Sequence, residues 1–301
     1  MAGININRTT SGVYLPPQVS SEIWAATVEQ SAIMQAARRV NLPGAGITIP
    51  LITSEATADW VAETDEKPVS RPTLDNKAMT PYTLAVIVPF SNQFRRDLPA
   101  LYAELVRRLP FALARKFDAT VAGAYSPPGS GFDTLASAPQ MTVDGTNTFS
   151  DTAAVLNAVA AADAELSHWI VKPPLHALLI TTVDALGRQI FIPNSLTGTP
   201  QRQVGSIWGA TVIRTNAELK TSSIVGDDTG LAGDFANSAV WGSVEGVQVS
   251  ISDQATLTDG QTTINLWQRN MFAVRAEIEV GFVVRDVNHF VRITDGVVDP
   301  S

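Results

Sequence analysis

The sequence contains no cysteine among its 301 residues, and this absence removes several kinds of chemistry at once. Disulfide bonds, thiol catalysis and cysteine-ligated zinc are all excluded. The three histidines, His168, His176 and His289, are scattered, with no two of them four residues apart. Zinc ligands on one helix face have that spacing. The sequence therefore predicts no metal site and no cofactor.

Charge is also scarce, and its balance is acidic. Charged residues make up 17% of the chain, with 21 Lys and Arg against 29 Asp and Glu, which gives a net charge of −8. An acidic chain has little electrostatic attraction for nucleic acid. Low charge with 45% apolar residues fits an ordinary soluble enzyme domain, and it equally fits a protein whose surface is consumed by contacts with its own copies. Composition does not separate these two classes.

Long apolar runs are missing as well. No stretch approaches the roughly 20 apolar residues that a membrane-spanning helix needs. The first residues lack the basic segment and apolar run of a signal peptide. We therefore expect neither membrane insertion nor secretion. Disorder of the whole chain is excluded, because disordered chains are rich in charge and poor in apolar residues.

Motifs that carry catalytic chemistry are not found either. There is no phosphate-binding loop and no glycine motif for a dinucleotide, and residues 242–246 place Ser243 one position too early for a nucleophile elbow. The acidic pairs and clusters, Asp227-Asp228 among them, are interpreted as solvated turn carboxylates. Nothing places a nucleophile beside a base, and we predict that the chain is not an enzyme.

Two long helices are predicted near the start of the chain. Residues 1–20 carry no periodic pattern, whereas apolar residues at helical spacing predict a helix over residues 21–39. A second apolar stripe predicts a helix over residues 97–122, with Leu105, Leu109 and Leu113 buried. Arg107 and Arg108 lie on another face of that helix. A solvated face or salt bridges between subunits is favoured for them over a nucleic-acid patch.

Between these helices the pattern predicts a projecting arm. Residues 47–51 and 82–88 alternate as strands do, and the segment between them is charged and broken by prolines. The simplest geometry pairs these two strands into a long ribbon with a polar tip. An isolated ribbon is marginal in water and its open edges invite another chain. We predict that the tip docks on a neighbouring subunit; the alternative is a hairpin folded over its own core.

The candidate interface residues follow from this arm and from the long helix. A large indole near the tip would stay wet unless another chain covered it. The predicted interface set is Trp60, Val61, Glu63, Lys67, Arg71, Arg107 and Arg108.

The remainder of the chain predicts an α+β fold, with helices and strands segregated along the sequence. A loop at a domain boundary is expected over residues 126–147, and a helix then runs to about Ser167. A buried strand is predicted over residues 175–180, followed by one or two helical turns over residues 181–188. Further strands are expected at residues 211–214, 224–225, 239–241 and 248–251 and in a strand-rich tail, residues 263–294.

The order of these segments resembles the major capsid proteins of tailed phages, which have the HK97 fold. Each matching piece is short, and their order and spacing together carry the resemblance, which extends over nearly the whole chain from about residue 20. The pieces include Ala58-Asp59-Trp60-Val61-Ala62-Glu63, Thr80-Pro81-Tyr82-Thr83-Leu84-Ala85, Asp184-Ala185-Leu186-Gly187-Arg188, Gly205-Ser206-Ile207-Trp208-Gly209, Gly233-Asp234-Phe235 and Ala273-Val274-Arg275-Ala276-Glu277.

The resemblance implies a division of the chain into four parts. Residues 1–40 would form an N-terminal arm and short helix, and residues 41–95 an extended β-hairpin loop. A peripheral domain would comprise a long spine helix within residues 96–122 and the return segment 251–301, whose strands would complete its sheet. Residues 123–250 would form the axial domain.

The resemblance also implies a structural role for the chain. It would self-assemble, as pentamers and hexamers, into an icosahedral shell in the virion, assembled in the host cytoplasm around double-stranded DNA that it meets by non-specific proximity only. Because the chain starts almost at the arm, either the scaffolding protein is separate or the chain is a processed product; a portal and a decoration protein are the other candidate partners. An encapsulin-type nanocompartment shell and a soluble enzyme with an unrecognised site are the alternatives.

Overall fold

The structure is a computed structural model that describes residues 17–54, 58–61, 66–67, 69, 73–93, 98–184, 186–194, 202–221, 226–260 and 262–296. Both helices and strands are well represented, which confirms the α+β class. The helices are α1 (Pro17–Gln30), α2 (Ala32–Ala36), α3 (Leu98–Val121), α4 (Thr148–Ala161), α5 (Pro173–Thr181) and α6 (Phe235–Ser238).

The strands are numbered in chain order. They are β1 (Arg38–Asn41), β2 (Ile47–Ser54), β3 (Thr73–Met79), β4 (Tyr82–Ser91), β5 (Gln140–Thr142), β6 (His168–Val171), β7 (Ile192–Pro193), β8 (Gln203–Ile207), β9 (Ala210–Arg214), β10 (Asp228–Gly233), β11 (Ala239–Ser243), β12 (Gln248–Ser252), β13 (Thr256–Asp259), β14 (Thr262–Asn265), β15 (Met271–Val284) and β16 (Phe290–Thr294).

Most of these strands form two sheets. Among the described residues, one sheet has the order β1-β11-β15-β12, with β4 paired to β15 as an edge strand, and the other has the order β5-β16-β10-β6-β9-β8-β7. Strand β15 is the longest strand and pairs with β4 from Met271 opposite Ser91 to Val280 opposite Tyr82. Strand β16 joins the seven-stranded sheet. The end of the chain therefore divides between the two sheets.

The pairing of the arm strands differs from the prediction. The segments at 47–51 and 82–88 are both strands, but they do not pair with each other. Strand β2 pairs with β3, from Ile47 opposite Met79 to Ser54 opposite Thr73, whereas β4 belongs to the five-stranded sheet. The alternation in β4 reflects a strand half-buried against the core. Strand β3 was missed because its sequence has no alternating apolar pattern; among its described side chains only Met79, at the root, is buried, in a small core cluster with Leu42 and Val283.

The predicted single helix over residues 21–39 is also wrong. Helix α1 starts at Pro17, a residue type favoured in the first turn, and a break at Ser31 separates it from α2. The Ser31 hydroxyl caps α2 by accepting from the Met34 N–H at 3.0 Å. The chain then becomes strand β1, which runs parallel to β11.

The prediction for the long helix is confirmed. Helix α3 spans Leu98–Val121, with Pro110 inside it. Leu109 and Leu113 are each 1% exposed and lie in the larger apolar core, which also contains Ile23 of α1. The side chain of Leu105 lies outside the described part of the structure. The apolar stripe thus faces the five-stranded sheet, as its spacing predicts.

Further along the chain, the expected strand at 175–180 is the helix α5. Its Leu and Ala residues are good helix formers, and Pro173 and Pro174 open it. The expected helical turns at 181–188 are a tight turn instead, in which the Asp184 carboxylate accepts from the N–H groups of Leu186 and Arg188. The preceding helix, α4, ends at Ala161 rather than near Ser167.

The short strands predicted near 211–214, 239–241 and 248–251 are confirmed by β9, β11 and β12. The strand predicted at residues 224–225 lies outside the described residues.

A buried ion pair joins strands β10 and β16 inside the seven-stranded sheet. The Arg292 Nε donates to Asp228 Oδ2 at 2.7 Å, and its Nη2 donates to Asp228 Oδ1 at 3.1 Å. The Asp228 side chain is fully buried. The interpretation of Asp228 as a solvated turn carboxylate is therefore wrong, because its charge is matched bidentately by an arginine 64 residues away.

A second buried carboxylate, Asp118 of α3, holds the α1–α2 junction against the spine helix. Asp118 Oδ1 accepts from the Ser31 hydroxyl at 2.5 Å, and Oδ2 accepts from the Ala32 N–H at 2.8 Å. Burial raises the pKa of Asp118 to about 6, although these hydrogen bonds and the charge of Arg202 act in the opposite direction. Desolvation therefore disfavours the ionised carboxylate, and the hydrogen bonds and the charge of Arg202 offset only part of this effect.

The apolar stripe of α3 yields a first prediction. Leu109→Ala should lower the free energy of unfolding of the isolated subunit by about 2–5 kcal/mol, because it leaves a cavity in the core. Phe111→Ala on the same helix removes a larger but 44% exposed side chain, and it should cost about 1 kcal/mol. Chemical denaturation measures both values. A larger loss for the Phe111 variant would contradict the orientation of the helix.

Asp118 yields a second prediction. A carboxyl group whose pKa is higher in the folded than in the unfolded chain stabilises the fold most at low pH, and this contribution is lost as the pH rises through about 6. The unfolding free energy of the unmodified chain, relative to Asp118→Asn, should therefore fall by about 2–3 kcal/mol between pH 4 and pH 7. Urea titrations of both chains across this range test the effect, and a pH-independent difference would contradict it.

Candidate assembly surfaces

Strands β2 and β3 form a hairpin that is a sheet of its own. Within the described residues, β2 and β3 pair only with each other. The hairpin begins at Gly46, whose φ of +81° favours glycine, and a Cβ there would lie 2.6 Å from the Met79 carbonyl oxygen. This close approach brings the two strands together at the root of the hairpin. The predicted arm thus exists, with β3 as its second strand.

The root of the hairpin is fixed to the body of the subunit by Lys77. Its Nζ lies 2.7 Å from Asp133 Oδ2 and donates to the Val284 carbonyl oxygen, also at 2.7 Å. Asp133 Oδ2 in turn accepts from the Val284 N–H at 3.0 Å. One lysine therefore joins the hairpin to the end of β15 and to the loop after α3.

Two further hydrogen bonds hold the same loop against the root. The Thr80 N–H donates to the Gly131 carbonyl oxygen at 3.0 Å, and the Tyr82 hydroxyl donates to the Ser130 carbonyl oxygen at 2.6 Å. These two hydrogen bonds restrict the direction in which the hairpin leaves the subunit.

The tip of the hairpin is exposed in the single chain. Trp60 has a relative exposure of 104%, and Val69 has one of 83%. Lys67 is exposed as well, whereas Val61 is half-buried. Glu63 and Arg71, the remaining predicted tip residues, lie outside the described residues. The placement of Trp60 and Lys67 leaves their side chains accessible to another molecule.

The predicted arginine pair lies on a separate element, the spine helix. Arg108 is exposed, and Arg107 lies in the same turn of α3, with its side chain outside the described part. The seven predicted interface residues therefore belong to two elements, the hairpin and α3.

Other exposed apolar side chains were not identified from the sequence. Leu186, 78% exposed, and Ile192, 66% exposed, lie at or beside the β7 edge of the seven-stranded sheet, and Trp267, 72% exposed, lies in the turn before β15. Each stands near polar or turn-forming residues, as in Trp267-Gln268-Arg269-Asn270. An apolar residue within a polar turn is a sequence signal that would have found them.

A serine, a histidine and an aspartate do meet in the fold, but not as a catalytic relay. The Ser238 Oγ lies 2.6 Å from His289 Nδ1 and donates to Asp234 Oδ2 at 3.2 Å. A catalytic triad places the imidazole between the other two groups, whereas here the buried serine is in the middle. The cluster therefore ties α6 to the turn before β16.

The described residues contain no group of three or more His, Asp or Glu side chains placed to hold a metal ion. Across the same residues, no helix has both the length and the apolar character needed to span a membrane.

Known proteins share both the sequence pattern and the fold. Residues 11–295 match the model of the phage capsid family. A probable major capsid protein, gp17 of Mycobacterium phage L5, is 30% identical over 94% of this chain and 89% of its own length.

Solved structures from two phages superimpose on the chain. A structure from Mycobacterium phage Adephagia has a TM-score of 0.66 at 20% identity, covering 90% of this chain and 91% of its own. One from Gordonia phage Cozz has a TM-score of 0.65 at 22% identity, covering 88% and 86%.

The sequence match and the structural match agree on one class of protein. The fold is the HK97-like fold of phage capsid proteins. The chain belongs to the phage capsid family, and its role is that of a major capsid protein, a structural subunit of a phage shell.

The root of the hairpin yields a third prediction. Lys77→Met should lower the free energy of unfolding by about 1–2 kcal/mol, because it removes two charge-assisted hydrogen bonds at a partly exposed site. It should also speed amide hydrogen exchange in β2 and β3. Lys67→Met, at the exposed tip of the same hairpin, is the matched control and should change neither quantity. Equal behaviour of the two variants would show that Lys77 does not fix the root.

Proposed function

We propose that this subunit assembles through its hairpin tip and N-terminal segment into a closed icosahedral shell around phage double-stranded DNA. The observation that carries the proposal is the full exposure of Trp60, which lies between two strands that pair, among the described residues, only with each other. Two-stranded ribbons are marginally stable alone, and exposed tryptophans are typical anchors of protein interfaces. A neighbouring copy supplies the missing cover.

The proposed domains follow from the two sheets. The five-stranded sheet with α3 forms the centre of the peripheral domain, assigned to residues 96–122 and 251–301, and strands β1, β4, β11 and part of β12 join this sheet from outside those ranges. The seven-stranded sheet forms the axial domain, residues 123–250, together with β16 from the return segment, and this domain gathers around the five-fold and six-fold positions. Residues 1–40 form the N-terminal arm with its helix, and residues 41–95 form the extended loop. The exposed β7 edge, with Ile192, supports an axial contact because an open edge can pair with another chain.

The interface residues proposed for the contacts between copies are those of the hairpin and the spine helix. Trp60 and Val61 supply apolar area, and Glu63, Lys67 and Arg71 supply charge around it. Arg107 and Arg108 form salt bridges between subunits.

The acidic net charge supports a container rather than a DNA-binding protein. With 29 acidic against 21 basic side chains, the subunit has little non-specific affinity for the polyanion that it encloses, so the DNA is held by confinement. The role includes no catalytic step and no cofactor. The proposed partners are other copies of the chain, a separate scaffolding protein, a portal and a decoration protein, with assembly in the host cytoplasm.

Size and shape of the purified chain test the proposal directly. Gel filtration followed by negative-stain microscopy should show uniform closed shells, and particles from infected cells should contain DNA. Empty or protein-filled shells in the native source would favour a nanocompartment instead. A stable monomer or dimer under all assembly conditions would contradict the proposal and favour a soluble enzyme.

The tip yields a fourth prediction. Trp60→Ala should leave the melting temperature of the isolated subunit nearly unchanged, because Trp60 is exposed in it. Assembled particles should become fragile to heat and denaturant, since truncation of an aromatic anchor costs about 2 kcal/mol or more at each interface. Trp60→Phe, which keeps an aromatic ring, should restore much of the particle stability. A destabilised monomer with normal particles would place Trp60 in the core of its own subunit.

A further inference from the structure

An open apolar cavity lies beside the root of the hairpin. It has a volume of about 350 Å³ and is enclosed by the spine helix, strand β4 and the loop after the helix. A cavity of about 150 Å³ lined by apolar side chains suffices for benzene, so this one has room for an indole ring. Its lining includes Tyr82, Leu84, Lys116, Phe117, Pro128 and Phe132.

The aromatic walls of this cavity are held rigidly. Phe132 contacts Tyr82 and Phe117 edge to face, each with ring centroids 6.3 Å apart. The hydroxyl bond from Tyr82 to the Ser130 carbonyl oxygen fixes one wall. A preformed cavity of this kind binds a side chain without first paying an ordering entropy.

The rim of the cavity is polar and carries a cation. The Lys116 Nζ lies 3.0 Å from the centroid of the Tyr125 ring, and the Tyr125 hydroxyl donates to Glu218 Oε2 at 2.6 Å. Three residues that carry hydroxyl oxygens, Thr83, Thr120 and Ser126, also line the cavity. These oxygens can accept the indole N–H, which needs a partner when it is buried.

The hairpin tip has the complementary chemistry. Trp60 contributes a fully exposed indole, and the exposed Asp59 beside it contributes a carboxylate. Lys116 at the rim is exposed as well. An indole entering the cavity would therefore bring an anion towards a cation, which favours this orientation of docking.

The tip of the same chain does not fill the cavity. The cavity adjoins the root of the hairpin, whereas the eight residues of β2 alone extend for roughly 25 Å away from it. Trp60 accordingly remains exposed in the single chain. A protruding group and a receptor at two different places on one surface make a head-to-tail contact, and such contacts form a ring where the rotation between neighbours closes.

We propose that the cavity at the hairpin root receives Trp60 of a second copy of this chain. The proposal rests on the shell function proposed above and names the receptor for the hairpin tip. Each subunit then covers the root of its neighbour with its own tip, around a closed ring.

Disulfide trapping in assembled particles tests this contact, and the absence of cysteine from the chain leaves no background. Asp59→Cys keeps Trp60 in place and is combined with Lys116→Cys or with Ser126→Cys at the cavity rim. Because a disulfide requires Cα atoms within about 7 Å, oxidation should link chains only if the tip lies at the cavity. We expect ladders of up to five and six linked chains on non-reducing gels from at least one of these pairs.

The matched control combines Asp59→Cys with Leu186→Cys, an exposed position beside the other sheet, and it should yield no ladder. No ladder from either rim position, or equal ladders from the control, would overturn the proposal. Micrographs of the unmodified chain show separately whether shells form at all, so failure of the shell function is distinguished from failure of this contact.

A second test fills the cavity from within. Thr83→Trp places an indole at its lining, and Ala85→Trp places one two residues along on the same exposed side of β4, away from the lining. Thr83→Trp should weaken particles towards denaturant as much as Trp60→Ala does, and the double variant should be no weaker than either single one. Additive losses, or equal losses from Ala85→Trp, would refute the contact.

Discussion

Lys77 anchors the root of the β2–β3 hairpin to the body of the subunit. Its ammonium group joins a strand of the hairpin to Asp133 in the loop after the spine helix and to the Val284 carbonyl oxygen at the end of β15. These three segments are far apart in sequence, and one cation holds all of them. The aromatic cavity lies open beside this root, and Trp60, between the two strands of the hairpin, is fully exposed.

The buried charges serve the subunit itself rather than its contacts. The Asp228–Arg292 pair joins two strands of the seven-stranded sheet, and Asp118 holds the N-terminal helices on α3. Each buried carboxylate has specific partners, without which it would be costly to bury. Exposed apolar groups such as Trp60, Leu186 and Trp267 show the opposite pattern. Contacts within the subunit thus satisfy its buried charges, whereas these apolar side chains stay exposed and are available for association.

Local patterns in the sequence were sufficient for the elements that pack an apolar face against the core. The leucine stripe predicts α3 and the burial of Leu109, and the alternation in residues 82–88 predicts β4. The pairing of strands was harder to predict from the sequence. Because β3 has no alternating apolar pattern, nothing in its sequence marks it as the partner of β2. The break at Ser31 depends on Asp118, 87 residues away, and α5 was mistaken for a strand because a short apolar run suits either structure. The exposed Trp60 was predicted, whereas its proposed receptor combines residues of three separate segments that only the fold brings together.

We infer that a neighbouring copy completes this subunit at its hairpin tip. A cryo-electron microscopy map of the assembled particle, at a resolution that shows aromatic side chains, tests this claim most directly. We expect density for the Trp60 indole in the cavity lined by Tyr82, Leu84 and Phe132 of the adjacent subunit, with the hairpin root bound through Lys77 as in the single chain. An indole exposed to solvent, or packed against its own subunit in the particle, would contradict the account.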